Sequence, residues 1–211
     1  MKKYEFAYGK GKKEIELDES LVLKEVRTND FETIKDIPYE VLEAIYHPIG
    51  CAPINEIVKP GQKIAFICND PTRVANSYDF MPVLVNEMNK LGVKDEDMHI
   101  VFALGTHREM THEEMVQAVG ENVASRLRMY NSVSTNQEDF KYFGTTSRGT
   151  PVWINRHLCD VDHVILTGTI VHHYFSGYGG GRKAILPGCA AMETVRVNHS
   201  FMLDPHAGLG K

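Results

Sequence analysis

Three short apolar runs limit what this chain can fold into: KIAFICND (63–70), HIVFALG (99–105) and HVILTGT (163–169). Each is rich in β-branched or aromatic residues and shows no 3.6-residue period, so each reads as a strand buried on both faces. Each also runs into a polar cluster. The first ends in Asn69-Asp70-Pro71-Thr72-Arg73, the second in Gly105-Thr106-His107-Arg108, and the third in Gly168-Thr169 followed by His172-His173.

Helical patterns separate these strands. Between the first and second, Tyr78, Met81, Leu84, Val85, Met88 and Leu91 fall on one helical face, and Gly92 supplies a stop. Pro82 within this segment predicts a helix that begins close before it, because proline is best tolerated in a first turn. After the second strand, Thr111 and Glu114 have the spacing of a capping box. RMYNSV, KYFGTTS and TPVWIN read as shorter strands, the last antiparallel or at an edge, and residues 189–203 as a closing helix. The alternation predicts an α/β, Rossmann-like domain with a largely parallel central sheet flanked by helices. In such sheets, ligands lie beyond the carboxyl ends of the strands. Parallel neighbours would therefore bring Asp70, Arg73, His107 and His173 to one rim.

Ahead of this domain, residues 3–17 alternate around GKGKK and predict a β-hairpin, and Tyr39–His47 predicts a short helix ended by Pro48. The expected organisation is residues 1–60 as a hairpin and helix packed on the main domain, and 61–211 as an α/β cofactor-binding domain. The net charge of -5 argues against a general nucleic-acid binder. No apolar run reaches the roughly 20 residues that span a bilayer, and no signal-peptide h-region opens the chain. The expected location is the cytoplasm, with neither nucleic acid nor membrane as partner. The four cysteines form no CxxC pair, which disfavours a zinc ribbon or a disulfide framework.

Eight of the ten histidines fall at or after His107, around GTIVHHYFSGYGGGRKAILPG (168–188). Gly177, Gly179, Gly180 and Gly181 contribute nothing to a core. They point to backbone brought close to a ligand with its N–H groups outward, and Arg182 and Lys183 make that ligand anionic. Neither nucleotide motif is met. Ala184 follows Lys183 where a P-loop needs Ser or Thr, and Arg182 stands where the dinucleotide fingerprint needs its third glycine. Of His172 and His173, adjacent positions face different ways, so one is expected to enter the site. His107 alone fits a structural helix-entry role as well as a chemical one. Arg73 fits a carboxylate or phosphate, or an ion pair with Asp70, and the two are compatible.

Four segments in order, NDPTR, GTHR, HH-YFSGYGGGRKAILPG and NHSFML, resemble the N-terminal domain of the nickel-pincer-nucleotide lactate racemase family over residues 69–203. The resemblance implies a pyridinium-3-thioamide-5-thiocarboxylate mononucleotide attached covalently to Lys183, with nickel ligated by His199. It implies His107 and His173 as the acid/base pair, with Arg73 and Asp70 positioning cofactor or substrate. Thr72, Gly177, Gly179, Gly180, Gly181 and Arg182 complete the implied cofactor-binding set. The implied reaction is racemisation or epimerisation of a 2-hydroxy acid by hydride transfer, dependent on cofactor-synthesis enzymes. Two departures stand out. Gly179 replaces the small hydroxyl residue expected in relatives, and the chain stops at DPHAGLGK, before the C-terminal domain with which the family closes its site. That domain is expected to be absent, leaving a chain that binds cofactor without turning over. Two rivals remain: a non-catalytic nucleotide- or phosphate-binding module, and, ranked lower, a zinc enzyme using His173, His199 and a carboxylate.

Overall fold

The three apolar runs form adjacent parallel strands in a computed structural model that describes residues 1–27 and 29–210. Two compact units result, Met1–Lys35 and Asp36–Lys211. The first is built on an antiparallel hairpin of β1 (Lys2–Tyr8) and β2 (Gly11–Leu17), with Tyr4 opposite Ile15.

The second unit opens with α1 (Ile37–Tyr46), whose N-cap Asp36 accepts from the Tyr39 N–H, and the four-residue α2 (Ile54–Ile57). Then come β3 (Ile64–Asn69), α3 (Ser77–Lys90), β4 (Met98–Ala103), α4 (His112–Val119), α5 (Glu121–Ala124) and β5 (Arg128–Asn131). An antiparallel pair follows, β6 (Phe140–Thr145) with β7 (Pro151–Asn155), and then β8 (His163–Leu166). The central sheet has the order β5-β4-β3-β8 and is parallel throughout. This is the expected α/β architecture, with helices flanking a parallel sheet. Both halves of the Thr111 capping box form, the Glu114 N–H donating to Thr111 Oγ1 at 3.3 Å and the Thr111 N–H to Glu114 Oε2 at 2.9 Å.

Every residue of β3 from Ile64 to Cys68 is wholly buried, because the strand is covered on both faces. Ile64, Phe66 and Cys68 face the main core with Met81, Val85 and Met88 of α3. Ile67 faces a second core with Val101, Ala184 and Cys189. Thus the turn carrying Lys183 is anchored on the sheet by its neighbour Ala184.

Pro82 departs from expectation. It lies in the interior of α3, not in the first turn. An interior proline costs about 3 kcal/mol. Burial of Met81, Leu84, Val85 and Met88 on the same helix contributes about 1.5–3 kcal/mol for each such side chain. Packing therefore outweighs the local preference.

The remainder is more finely divided than the sequence pattern predicts. The stretch after β8 forms β9 (His172–His173) and β10 (Ser176–Tyr178), antiparallel to each other. A 3-10 turn follows at Gly181–Ala184, then α6 (Met192–Ser200), and β11 (Gly208–Leu209) pairs parallel with β10. The closing helix is shorter than expected, since 201–203 is a further 3-10 turn. Among the described residues no helix is long and apolar enough to cross a membrane.

Candidate active site

The carboxyl ends of β3 and β4, the segment after β8, the Lys183 turn and α6 enclose a cleft of about 540 Å³. Strand register explains the first two. Asn69 pairs with Ala103, so the chain beyond each strand emerges side by side. Asp70, Arg73, His107, His173, Lys183 and His199 all border the cleft, as do Gly179 and Gly180. Gly177, Gly181, Arg182 and Thr72 lie outside its lining. Of the two cations in sequence, only Lys183 enters.

Asp70 is buried, with 4% exposure, and its carboxylate is fully used. Oδ1 accepts from the Thr72 N–H at 2.9 Å and from Thr72 Oγ1 at 2.7 Å. Oδ2 pairs with His107 Nδ1. Nδ1 of His107 is thus committed, leaving Nε2 for proton exchange. Asp70 does not pair with Arg73, contrary to the ion pair that their spacing in sequence offered. Among the described residues Arg73 makes no ion pair, so its guanidinium is available to a ligand in the cleft. Thr72 is exposed, outside the cleft lining, and steadies Asp70.

Lys183 Nζ donates to Ser176 Oγ at 3.1 Å and lies 5.9 Å from the Phe175 ring centroid. Burial, and then the Arg73 charge, hold its ammonium below the ordinary lysine range. His173 is held below the ordinary histidine value by burial first, and then by Lys183, Arg73 and His199. Its Nδ1 is buried without a hydrogen-bond partner among the described residues. His199 Nδ1 lies 2.9 Å from the Val195 carbonyl. A carbonyl only accepts, so Nδ1 carries the hydrogen and Nε2 presents a lone pair.

Two expectations about the glycine stretch change. Its N–H groups do not all turn outward, since Gly179 donates to the Val171 carbonyl at 2.6 Å. Close approach is instead internal: at Gly180, with φ +78°, an added Cβ would lie 2.6 Å from the Thr169 carbonyl oxygen. His172 also borders the cleft, from the exposed side of the two-residue strand β9, while His173 is turned inward. Both neighbours therefore contribute, where one was expected. Sequence reasoning passed over Ser176 and Phe175, which hold Lys183. Nothing in their spacing marks them, because both contacts depend on the antiparallel turn between β9 and β10.

Known proteins resemble this chain over most of its length. The family described as "Lactate racemase N-terminal domain" matches residues 8–210. A lactate racemase of Lactiplantibacillus plantarum is 33% identical over 172 residues, covering 81% of this chain and 40% of that protein. A lactate racemase of Thermoanaerobacterium thermosaccharolyticum is 30% identical over 214 residues, covering 100% of this chain and 50% of that protein. The solved structure of the lactate racemase apoprotein from that second organism superposes with a TM-score of 0.85 at 30% identity, over 99% of this chain and 49% of that one. A Thermotoga maritima protein shares the fold alone, with a TM-score of 0.67 at 24% identity, over 82% of this chain and 44% of that one. The chain spans about half the length of the curated relatives it matches.

Proposed function

The chain belongs to the lactate racemase N-terminal domain family, and on that premise we propose that it is the cofactor-bearing part of a 2-hydroxy-acid racemase or epimerase. The cofactor in this reading is a nickel pincer nucleotide tethered to Lys183. The observation that carries the reading is that Lys183, His107, His173, His199 and Arg73 border a single cleft. A volume of about 540 Å³ lies within the usual range for small-ligand and cofactor sites.

The donor set suits that group. A lysine held below its ordinary range by burial presents more of the neutral amine, which is the form that makes a covalent bond. Imidazole is a good donor for nickel, and His199 has its ring oriented by a backbone carbonyl with Nε2 free. The unpartnered Nδ1 of His173 is a buried polar atom that a bound group or a substrate hydroxyl would satisfy. Among the described residues no three His, Cys, Asp or Glu side chains are placed to hold a metal by themselves.

When bound, the group supplies an acceptor for the hydride on the substrate α-carbon. The chain's own residues do the rest. Arg73 takes the substrate carboxylate as a bidentate pair. His107 Nε2 accepts the hydroxyl proton, and the Asp70 carboxylate on Nδ1 stabilises the resulting imidazolium. Loss of hydride and proton gives a planar 2-keto acid with two equivalent faces. Return on the opposite face needs a second group that gives a proton to the reforming hydroxyl, and His173 in its protonated form fills that role. Gly179 and Gly180 form cleft wall, and Gly177, Gly181 and Arg182 shape the loop that carries Lys183. The substrate is a small 2-hydroxy acid, the partners are cofactor-synthesis enzymes, and the compartment is the cytoplasm.

The test is the intact mass of the chain after expression beside the cofactor-synthesis enzymes. A nucleotide adduct that is lost in Lys183→Ala supports the reading. No adduct on the parent chain, with phosphate binding retained, would replace it with the binding-module reading.

A further inference from the structure

Among the described residues, every lysine except Lys183 is exposed. Lys183 alone is drawn into a cleft, with its Nζ held 3.1 Å from Ser176 Oγ. Asp70 is the one carboxylate in the lining, and Thr72 and His107 occupy it. The cleft lining therefore holds an amine and, within reach of its charge, a guanidinium, Arg73, with no free carboxylate to neutralise either. A guanidinium in that state is a bidentate phosphate site, and an amine that shares its cleft with a second cation is an activated nucleophile.

We propose that, before any cofactor is attached, Lys183 is an acyl acceptor for small acyl phosphates, with Arg73 taking the phosphate. The two ends of such a molecule match the two groups: a dianionic head for Arg73 and an electrophilic carbonyl for Nζ. In the transfer the Nζ lone pair attacks the acyl carbon and a C–N bond forms. The C–O bond to phosphate breaks, and its electron pair leaves with the phosphate. The proton shed by nitrogen goes to that phosphate, so the products are an amide and hydrogen phosphate. No oxidant or further reactant is required. The amide has neither charge nor nucleophilicity. On the tether reading above, an acylated chain can no longer accept the nucleotide, so acyl phosphates compete with cofactor attachment. The acylation itself stands on the cleft alone.

The experiment uses chain expressed without the cofactor-synthesis enzymes, so it is independent of whether an adduct ever forms. The chain is treated with acetyl phosphate, and acetylation at each lysine is followed over time by peptide mass spectrometry. Lys183 is expected to acetylate severalfold faster than exposed Lys10 or Lys90, and inorganic phosphate is expected to protect it. In Arg73→Gln the acetyl phosphate rate at Lys183 should fall more than the rate with N-acetoxysuccinimide, which carries no phosphate. Phosphate protection is read on the parent chain and so needs no variant to fold. The proposal is overturned if Lys183 reacts no faster than the exposed lysines. It is also overturned if phosphate does not protect, or if Arg73→Gln slows both reagents equally.

Discussion

Gly188 is where the turn bearing Lys183 rests on the sheet, and replacing it with alanine tests how that lysine is positioned. The Gly188 N–H donates to the Lys183 carbonyl at 3.1 Å, and the Gly188 carbonyl accepts from the Gly105 N–H at 2.9 Å. A Cβ at this position would lie 2.3 Å from the Ala184 carbonyl oxygen and 2.7 Å from the Ala103 Cβ, against 3.4 Å for ordinary contact. Neither neighbour can rotate aside, since one is backbone and the other a methyl on β4. The turn must therefore lift by on the order of 1 Å, and overpacking of this kind costs about 1–3 kcal/mol. Displacing a reacting group by about 1 Å costs up to about a hundredfold in rate. Gly188→Ala is thus expected to lower the urea unfolding free energy by about 1–3 kcal/mol. Under conditions where the variant is folded, it should also slow attachment at Lys183 by at least about tenfold. Gly181→Ala is the comparison: it has φ +52° but nothing within 4 Å of the added Cβ, so it carries only the left-handed backbone penalty of about 1–2 kcal/mol. If Gly188→Ala unfolds within about 0.5 kcal/mol of the parent and attaches cofactor at the parental rate, the seating of this turn is wrong.

Three further outcomes are expected. His199→Ala should keep the Lys183 adduct but lose nickel, by intact mass and metal analysis, and unchanged nickel would remove the ligand role. Thr72→Val deletes the hydroxyl that donates to Asp70 Oδ1 at 2.7 Å. With that donor gone the buried Asp70 carboxylate is one hydrogen bond short, so the urea unfolding free energy should fall by about 1–3 kcal/mol, with adduct yield unchanged, and a parental unfolding free energy would refute the contact. Burial holds His99, His157 and His173 below the ordinary value of 6.5, so below that pH the unfolded chain binds protons that these rings refuse. Their contribution to stability is intact above about pH 6.5 and is lost as pH falls through and below it. His99→Gln, which keeps a donor for the His157 carbonyl that His99 Nε2 meets at 2.8 Å, should flatten the acid limb of a stability–pH curve. A variant curve that overlays the parent would refute this.

Strand and helix identity were legible because they rest on interactions between near neighbours in sequence. The β-branched runs at 64–69 and 98–103, the Thr111–Glu114 box and the helical face of Met81, Val85 and Met88 are all local patterns. The grouping of Asp70, Arg73, His107 and His173 was legible for a related reason. In a parallel sheet, consecutive strands end on the same side, so polar clusters after each apolar run share one edge. Pro82 was not legible as a helix-interior residue because its local cost is offset only by tertiary burial of its helix.

What the chain could not disclose by itself is which group holds which. Asp70 sits three residues from Arg73 and 37 from His107, yet its carboxylate pairs with the distant histidine. That choice follows from the register of β3 against β4, with Asn69 beside Ala103. Likewise, the glycines after His173 advertise a tight backbone, but only the fold shows that the tightness is internal, Gly180 lying on Thr169 and Gly179 donating to Val171. Lys183 could be singled out from its motif. That it is the half-buried cation lining the cleft together with Arg73, its Nζ on Ser176 Oγ, while Arg182 stays outside the lining, was decided by the packing of Ala184 into the second core. Sequence neighbours determine local conformation, whereas partners and burial are set by contacts between residues far apart in the chain.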